Sequence, residues 1–133
     1  MTMRATARRS GSALRQEIQI DEFELVADEG EELGGTDEGP NPQQLLAASL
    51  ASCSAITMEM YANRKGWDIG DVAVDVVYEP AQRGSPTKFG MTVELSKELP
   101  EDQRDKLMQI VAKCPVHRTL EGEVMFEEKV KLV

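Results

Sequence analysis

The chain has 133 residues, 41% of them hydrophobic, and a formal net charge of −9. That length suits one compact domain with a single core, taken here as residues 1–133, and is too short for two domains of ordinary size. The negative balance argues against general attraction to DNA, RNA or an anionic bilayer, so neither nucleic acid nor membrane is an expected partner.

Aromatic residues make up only 5% of the chain, which leaves packing to Leu, Val, Ile, Met and Ala. A core of that kind is often completed by a second subunit. The charge is uneven: no Lys or Arg occurs between Gln16 and Asn63, while Glu17, Asp21, Glu22, Glu24, Asp28, Glu29, Glu31, Glu32, Asp37, Glu38 and Glu59 all fall there. Such a run reads as a solvated acidic surface or as a docking face for a basic partner. Arg4, Arg8 and Arg9 are too few for a nucleic-acid arm and read as a frayed terminus. No uninterrupted apolar run approaches the roughly 18 residues of a spanning helix, and the start lacks the apolar stretch of a secretory signal, so a cytoplasmic protein is expected. In that compartment an idle cysteine pair is kept reduced, and the two cysteines of this chain pair, if they pair, as part of a reaction.

In chain order, "LRQEIQI" reads as a strand carrying Leu14, Ile18 and Ile20, and "FELVA" as a second strand after a tight connection. "DEGEELGGTDEGPNP" is a long loop whose Gly34–Gly35 pair opens backbone angles closed to other residues. Asn41 and Pro42 then begin a helix, the amide oxygen accepting a first-turn N–H and proline filling the first helical position. This helix runs to about Arg64, where "RKGW" supplies basic side chains and the Gly66 stop. Leu46, Leu50, Cys53, Thr57 and Met60 lie along one line of it, and no charge occurs from Ala47 to Met58, so its middle is expected to be covered on most sides. Its small residues suit close approach of another backbone, which marks it as the central helix and as a subunit contact. "VAVDVVYEP" and "TKFGMTVELS" alternate as two half-buried strands. A second helix follows from Pro100 and Glu101, with Leu107, Ile110 or Val111, and Cys114 as its stripe, and Pro115 closes or bends it. "GEVMFEEKVKLV" alternates again as a last strand. The order predicts an α+β domain, a curved antiparallel sheet around one long helix.

Both cysteines sit on apolar stripes, and free cysteine is commonly a small buried hydrophobe. Cys114 also has Lys113, His117 and Arg118 nearby in sequence. Pro115 can open a helical turn through "PVHRTL", leaving Cys114 at its N-cap with backbone N–H groups aimed at the sulfur. Positive charge and free N–H groups both favour thiolate over thiol. His117 reads either as a hydrogen-bonded structural residue or, with Arg118, as a tuner of the thiol. A metal site is not expected: two cysteines and one histidine fall short of the four ligands of a structural zinc site, and there is no C-x-x-C pair. No G-x-S-x-G elbow or phosphate-binding glycine loop is present either, and no cofactor is expected.

Taken together, "GGTDEGPNPQQLLAASLASC", a long helix, two strands, a second helix and "KCPVHRTLEGEV" resemble the OsmC/Ohr family of osmotically induced and organic-hydroperoxide-resistance proteins, from about Leu14 to the C-terminus. The resemblance implies an OsmC-like fold in an intertwined homodimer, with sheets wrapped around central helices and active sites at the subunit seam. It implies that Cys53 is the peroxidatic thiol and Cys114 the resolving one, reversing the order suggested by local charge. The resulting disulfide would be reduced by an external dithiol or a lipoylated protein. A glutamate of the family, paired with an N-terminal arginine, corresponds here to Gln43, an amide that can orient but cannot form an ion pair. Arg15 is the nearest match for the arginine. Leu46, Leu50 and Met60 would line an apolar pocket for a small organic hydroperoxide or other apolar ligand. The alternative is a non-catalytic binding or redox-sensing dimer of the same fold.

Overall fold

The computed structural model describes residues 1–11 and 13–133. The architecture is α+β, as expected, and the chain divides into two compact units, Met1–Ala48 and Ser49–Val133.

The first unit carries a three-stranded antiparallel sheet in the order β1 (Thr6–Arg9), β2 (Gln16–Ile20), β3 (Phe23–Ala27). β2 and β3 are the two expected strands. They pair from Gln16 with Ala27 to Ile20 with Phe23, and Asp21 makes the tight turn at φ 52°. β1 replaces the frayed terminus: its four residues are exposed and polar in pattern, and Arg8 stands directly opposite Glu17 of β2. The acidic loop that follows is not featureless. It holds a single 3₁₀ turn over Glu31–Leu33 and closes around the carboxylate of Asp28, which is buried. Asp28 Oδ1 accepts from the Glu29 N–H at 2.8 Å, and Oδ2 accepts from the Thr36 hydroxyl at 2.8 Å and from the N–H groups of Glu38 and Thr36 at 3.2 and 3.3 Å. Those donors hold the Asp28 pKa below the usual carboxylate value although burial alone would raise it. Gly35 and Gly39 are required by close approach, since a Cβ would stand 2.0 Å from the Glu29 carbonyl oxygen at the first and 2.6 Å from that of Val26 at the second.

α1 (Pro42–Lys65) starts as the sequence predicts. Asn41 Oδ1 accepts from the Gln44 N–H and Gln44 Oε1 accepts from the Asn41 N–H, both at 2.8 Å, a reciprocal capping box. Its length and its mean hydropathy of 1.3 over the best window would by themselves allow it to cross a bilayer. Counting uninterrupted apolar runs missed this, because serines and threonines punctuate the helix. Its Met58, Tyr61 and Ala62 belong to a protein core, which is how a long apolar helix is used in a globular fold.

That core defines the second unit. Met58, Tyr61, Ala62, Ile69, Leu107 and Val111 form it, drawing on α1, on α2 (Glu101–Val111) and on the segment between α1 and β4 (Val72–Glu79). β4 and β5 (Lys88–Leu95) pair antiparallel so that Val72, Val74, Val76 and Tyr78 face Leu95, Val93, Met91 and Phe89. Both predicted apolar stripes thus lie on one face, and the Tyr78 and Phe89 rings stack at 4.7 Å. α2 ends at Val111 and a third helix, α3 (Pro115–Glu121), begins after a short break. The expected last strand is not formed: residues 122–133 have no helix or strand and are exposed, including Val124, Phe126, Val130 and Leu132. Alternation marks a segment able to pair, but a strand exists only where a neighbour supplies the other half of its hydrogen bonds.

Candidate active site at the start of a short helix

The break between α2 and α3 is a consequence of Pro115. The residue before a proline is driven out of helical geometry, and Cys114 is extended at φ −61° and ψ 144°, the N-cap of α3. Proline at the first helical position then removes one N–H, so the first free donors belong to Val116 and His117. The His117 N–H donates to Cys114 Sγ at 3.3 Å, and the Val116 N–H lies close enough to the sulfur of Cys53 on α1 to favour its anion. The N-cap geometry anticipated for Cys114 is therefore present, and the same helix start also serves Cys53. The two sulfurs lie near enough for Cys114 to raise the pKa of Cys53.

Their surroundings differ. Cys114 is 0% exposed, with the buried Ser54 hydroxyl 3.9 Å from its sulfur, whereas Cys53 is half-buried. Burial pushes the Cys53 thiol above its ordinary pKa. The Val116 N–H pulls it down, the neighbouring Cys114 pushes it up, and the Thr57 hydroxyl pulls it down, leaving it raised overall. Within Ser49–Val133 no basic side chain contributes to that balance. Lys113 and Arg118 are exposed, and the His117 ring turns toward Glu121, with Nδ1 2.9 Å from Oε1. That contact lacks the direction of a hydrogen bond, so Nδ1 is left without a hydrogen-bond partner among the described residues. His117 acts on Cys114 through its main chain, not through the ring that the sequence suggested.

Arg15 donates to Ser10 Oγ at 2.8 Å and lies 3.6 Å from Glu17 and 3.8 Å from Glu38. The arginine thus has carboxylate partners, but from β2 and the acidic loop. Gln43 is exposed in the first turn of α1, Leu46 is half-buried and Leu50 is 2% exposed. Met60 is 61% exposed and, with Thr57, Asn63, Arg64 and Pro115, lines a groove of about 440 Å³, in which Thr57 is a neighbour of Cys53 and Pro115 follows Cys114. Sequence reasoning set Thr57 on the line of Cys53 without giving it a role, and missed Ser54, which meets Cys114; at one position from Cys53, Ser54 shares no helix face with it and carried no signal.

Residues 35–129 match the family model described as OsmC-like protein. The organic hydroperoxide resistance protein of Xanthomonas axonopodis pv. citri is 30% identical over 126 residues, covering 90% of this chain and 85% of the relative. Among solved structures, the OsmC like protein from Mycoplasma pneumoniae superposes with a TM-score of 0.75 at 21% identity, covering 92% and 89% of the two chains. The organic hydroperoxide resistance protein OhrB of Bacillus subtilis superposes with a TM-score of 0.60 at 23% identity, covering 92% of each.

Proposed function

The chain belongs to the OsmC-like protein family, and on that footing we propose that it is a thiol-dependent peroxidase that reduces organic hydroperoxides. The observation that carries this reading is the pairing of a half-exposed thiol with a buried one at the same helix start. Cys53, the accessible member, loses its proton and attacks the distal oxygen of ROOH. The O–O bond breaks, the alkoxide takes up a proton and leaves as ROH, and Cys53 becomes the sulfenic acid. The Val116 N–H and Thr57 hydroxyl already reach this sulfur and favour the anion that attacks. Cys114 then attacks the sulfenic sulfur, the S–O bond breaks, water leaves, and a Cys53–Cys114 disulfide forms. An external dithiol or lipoylated protein returns both sulfurs to thiols by exchange.

Arg15 and Gln43 are assigned to orienting the peroxide, and Leu46, Leu50 and Met60 to the apolar side of its pocket. His117 and Arg118 complete the surroundings of the pair. The working unit is a cytoplasmic homodimer. The unpaired alternation of residues 122–133, with Val124, Phe126, Val130 and Leu132 exposed, supports a second copy as its partner.

A second reading, a dimer that binds a ligand or senses oxidant without turnover, is favoured by the raised Cys53 pKa. Consumption of cumene hydroperoxide and hydrogen peroxide with a dithiol reductant separates the two. Turnover lost in Cys53→Ser supports the peroxidase, and no thiol-dependent turnover by the wild type rejects it. Titrating free thiols after one equivalent of hydroperoxide then distinguishes a sensor, which loses both, from an inert binder.

A further inference from the structure

Cys53, Thr57, Met60 and Arg64 follow one another at spacings of four, three and four along α1, so they occupy one face of the helix. At 1.5 Å per residue that face extends about 16 Å from the level of Cys53 to that of Arg64. The groove of about 440 Å³ covers its outer part, with Thr57 at the end nearest the sulfur, Met60 and Pro115 as apolar walls, and Asn63 and Arg64 at the far end. We propose that Arg64 is a specificity-determining residue, which pairs with a carboxylate at the far end of an organic hydroperoxide whose apolar chain lies in this groove. The inference rests on the peroxidase reading of Cys53.

Three observations favour an anionic end over a neutral one. The Arg64 guanidinium stands 5.7 Å from the centroid of the Tyr61 ring, a cation–π contact that keeps it near the helix. It makes no ion pair among the described residues. It is also the first basic residue after Arg15, in a chain of net charge −9. An anion approaching such a surface is repelled except where a local cation receives it, and the planar guanidinium matches a carboxylate in two parallel hydrogen bonds. A compact neutral hydroperoxide fills only the end of the groove near the sulfur and leaves Arg64 unused.

The test compares kcat/KM for the hydroperoxide of a long-chain carboxylic acid with that of its methyl ester, in wild type, Arg64→Gln and Arg64→Lys, at low and high salt. The acid is expected to be preferred about fivefold by the wild type at low salt, with the preference shrinking as salt is added. The ratio falls toward one in Arg64→Gln and is partly kept in Arg64→Lys. Equal use of acid and ester by the wild type, or a ratio that Arg64→Gln does not move, overturns the inference. If Arg64→Gln fails to fold, the salt dependence of the wild-type ratio decides. Cumene hydroperoxide turnover by the wild type without acid–ester discrimination defeats this inference alone, whereas no turnover of any hydroperoxide defeats the peroxidase reading beneath it.

Discussion

The His117 N–H donates to Cys114 Sγ at 3.3 Å, so a cysteine does at the start of α3 what serine or aspartate usually does. Replacing it by serine keeps a cap of the preferred kind, with Ser54 near enough to share the hydroxyl. Replacing it by alanine removes the cap and empties a fully buried site. Urea unfolding is expected to find Cys114→Ala less stable than Cys114→Ser by about 1–2 kcal/mol. Equal stabilities would mean the sulfur caps nothing.

Burial and Cys114 together keep Cys53 protonated above the ordinary thiol value of 9.0. The rate of Cys53 alkylation against pH should therefore reach its midpoint above that value and move down in Cys114→Ser. The sign for stability follows: the folded chain holds this proton more tightly than the unfolded one. Its contribution is complete below the unfolded thiol pKa and is lost as pH rises through the folded one. A wild-type midpoint at or below 9.0 contradicts the electrostatic account.

Asp28 gives the opposite case. Its folded pKa is depressed, so the stability it lends is present above the unfolded value of about 3.9 and disappears as pH falls through the folded one. Hydrogen exchange at the amides of Thr36 and Glu38, both donors to Asp28, should accelerate across that acid window. In Asp28→Asn the acceleration should already be present at neutral pH. Exchange that ignores both acid and the substitution would remove Asp28 from the centre of the loop.

Two glycines separate crowding from backbone angle. Gly66 ends α1 at φ +70° with open space where a Cβ would go, so Gly66→Ala is expected to cost about 1 kcal/mol. At Gly35 the added Cβ meets the Glu29 carbonyl at 2.0 Å, and Gly35→Ala should lower the melting temperature by clearly more. The reverse order would show that the acidic loop relaxes freely.

Much of this was legible in the sequence. Alternation at Val72–Tyr78 and Phe89–Leu95, and the Asn41–Pro42 start of α1, are local signals that local physics enforces. β1 was not, because Thr6–Arg9 has no apolar face and is held only by its ladder to β2. The acidic loop looked like charge spread over solvent, whereas one of its carboxylates, Asp28, is buried and collects the loop's N–H groups. Around the thiols, the turn forced by Pro115 was readable. The direction of the His117 ring was not, since Glu121, one turn further on, competes for it. A terminal strand was expected of residues 122–133 because alternation reports capacity to pair and says nothing about whether a mate lies in the same chain.

The sharing of one helix start by two sulfurs ties electron storage to local melting. If Cys53 and Cys114 join, the acceptor of the His117 N–H and the sulfur beside the Val116 N–H both become bonded sulfur, and the seven-residue helix keeps a tether while its cap is weakened. Fraying of Pro115–Glu121 would then report the oxidation state of the pair, and amide line-broadening at Val116 and His117 that appears with oxidant and reverses with dithiol would register it. Sharp, unchanged lines in the oxidised chain would mean that α3 stands without them.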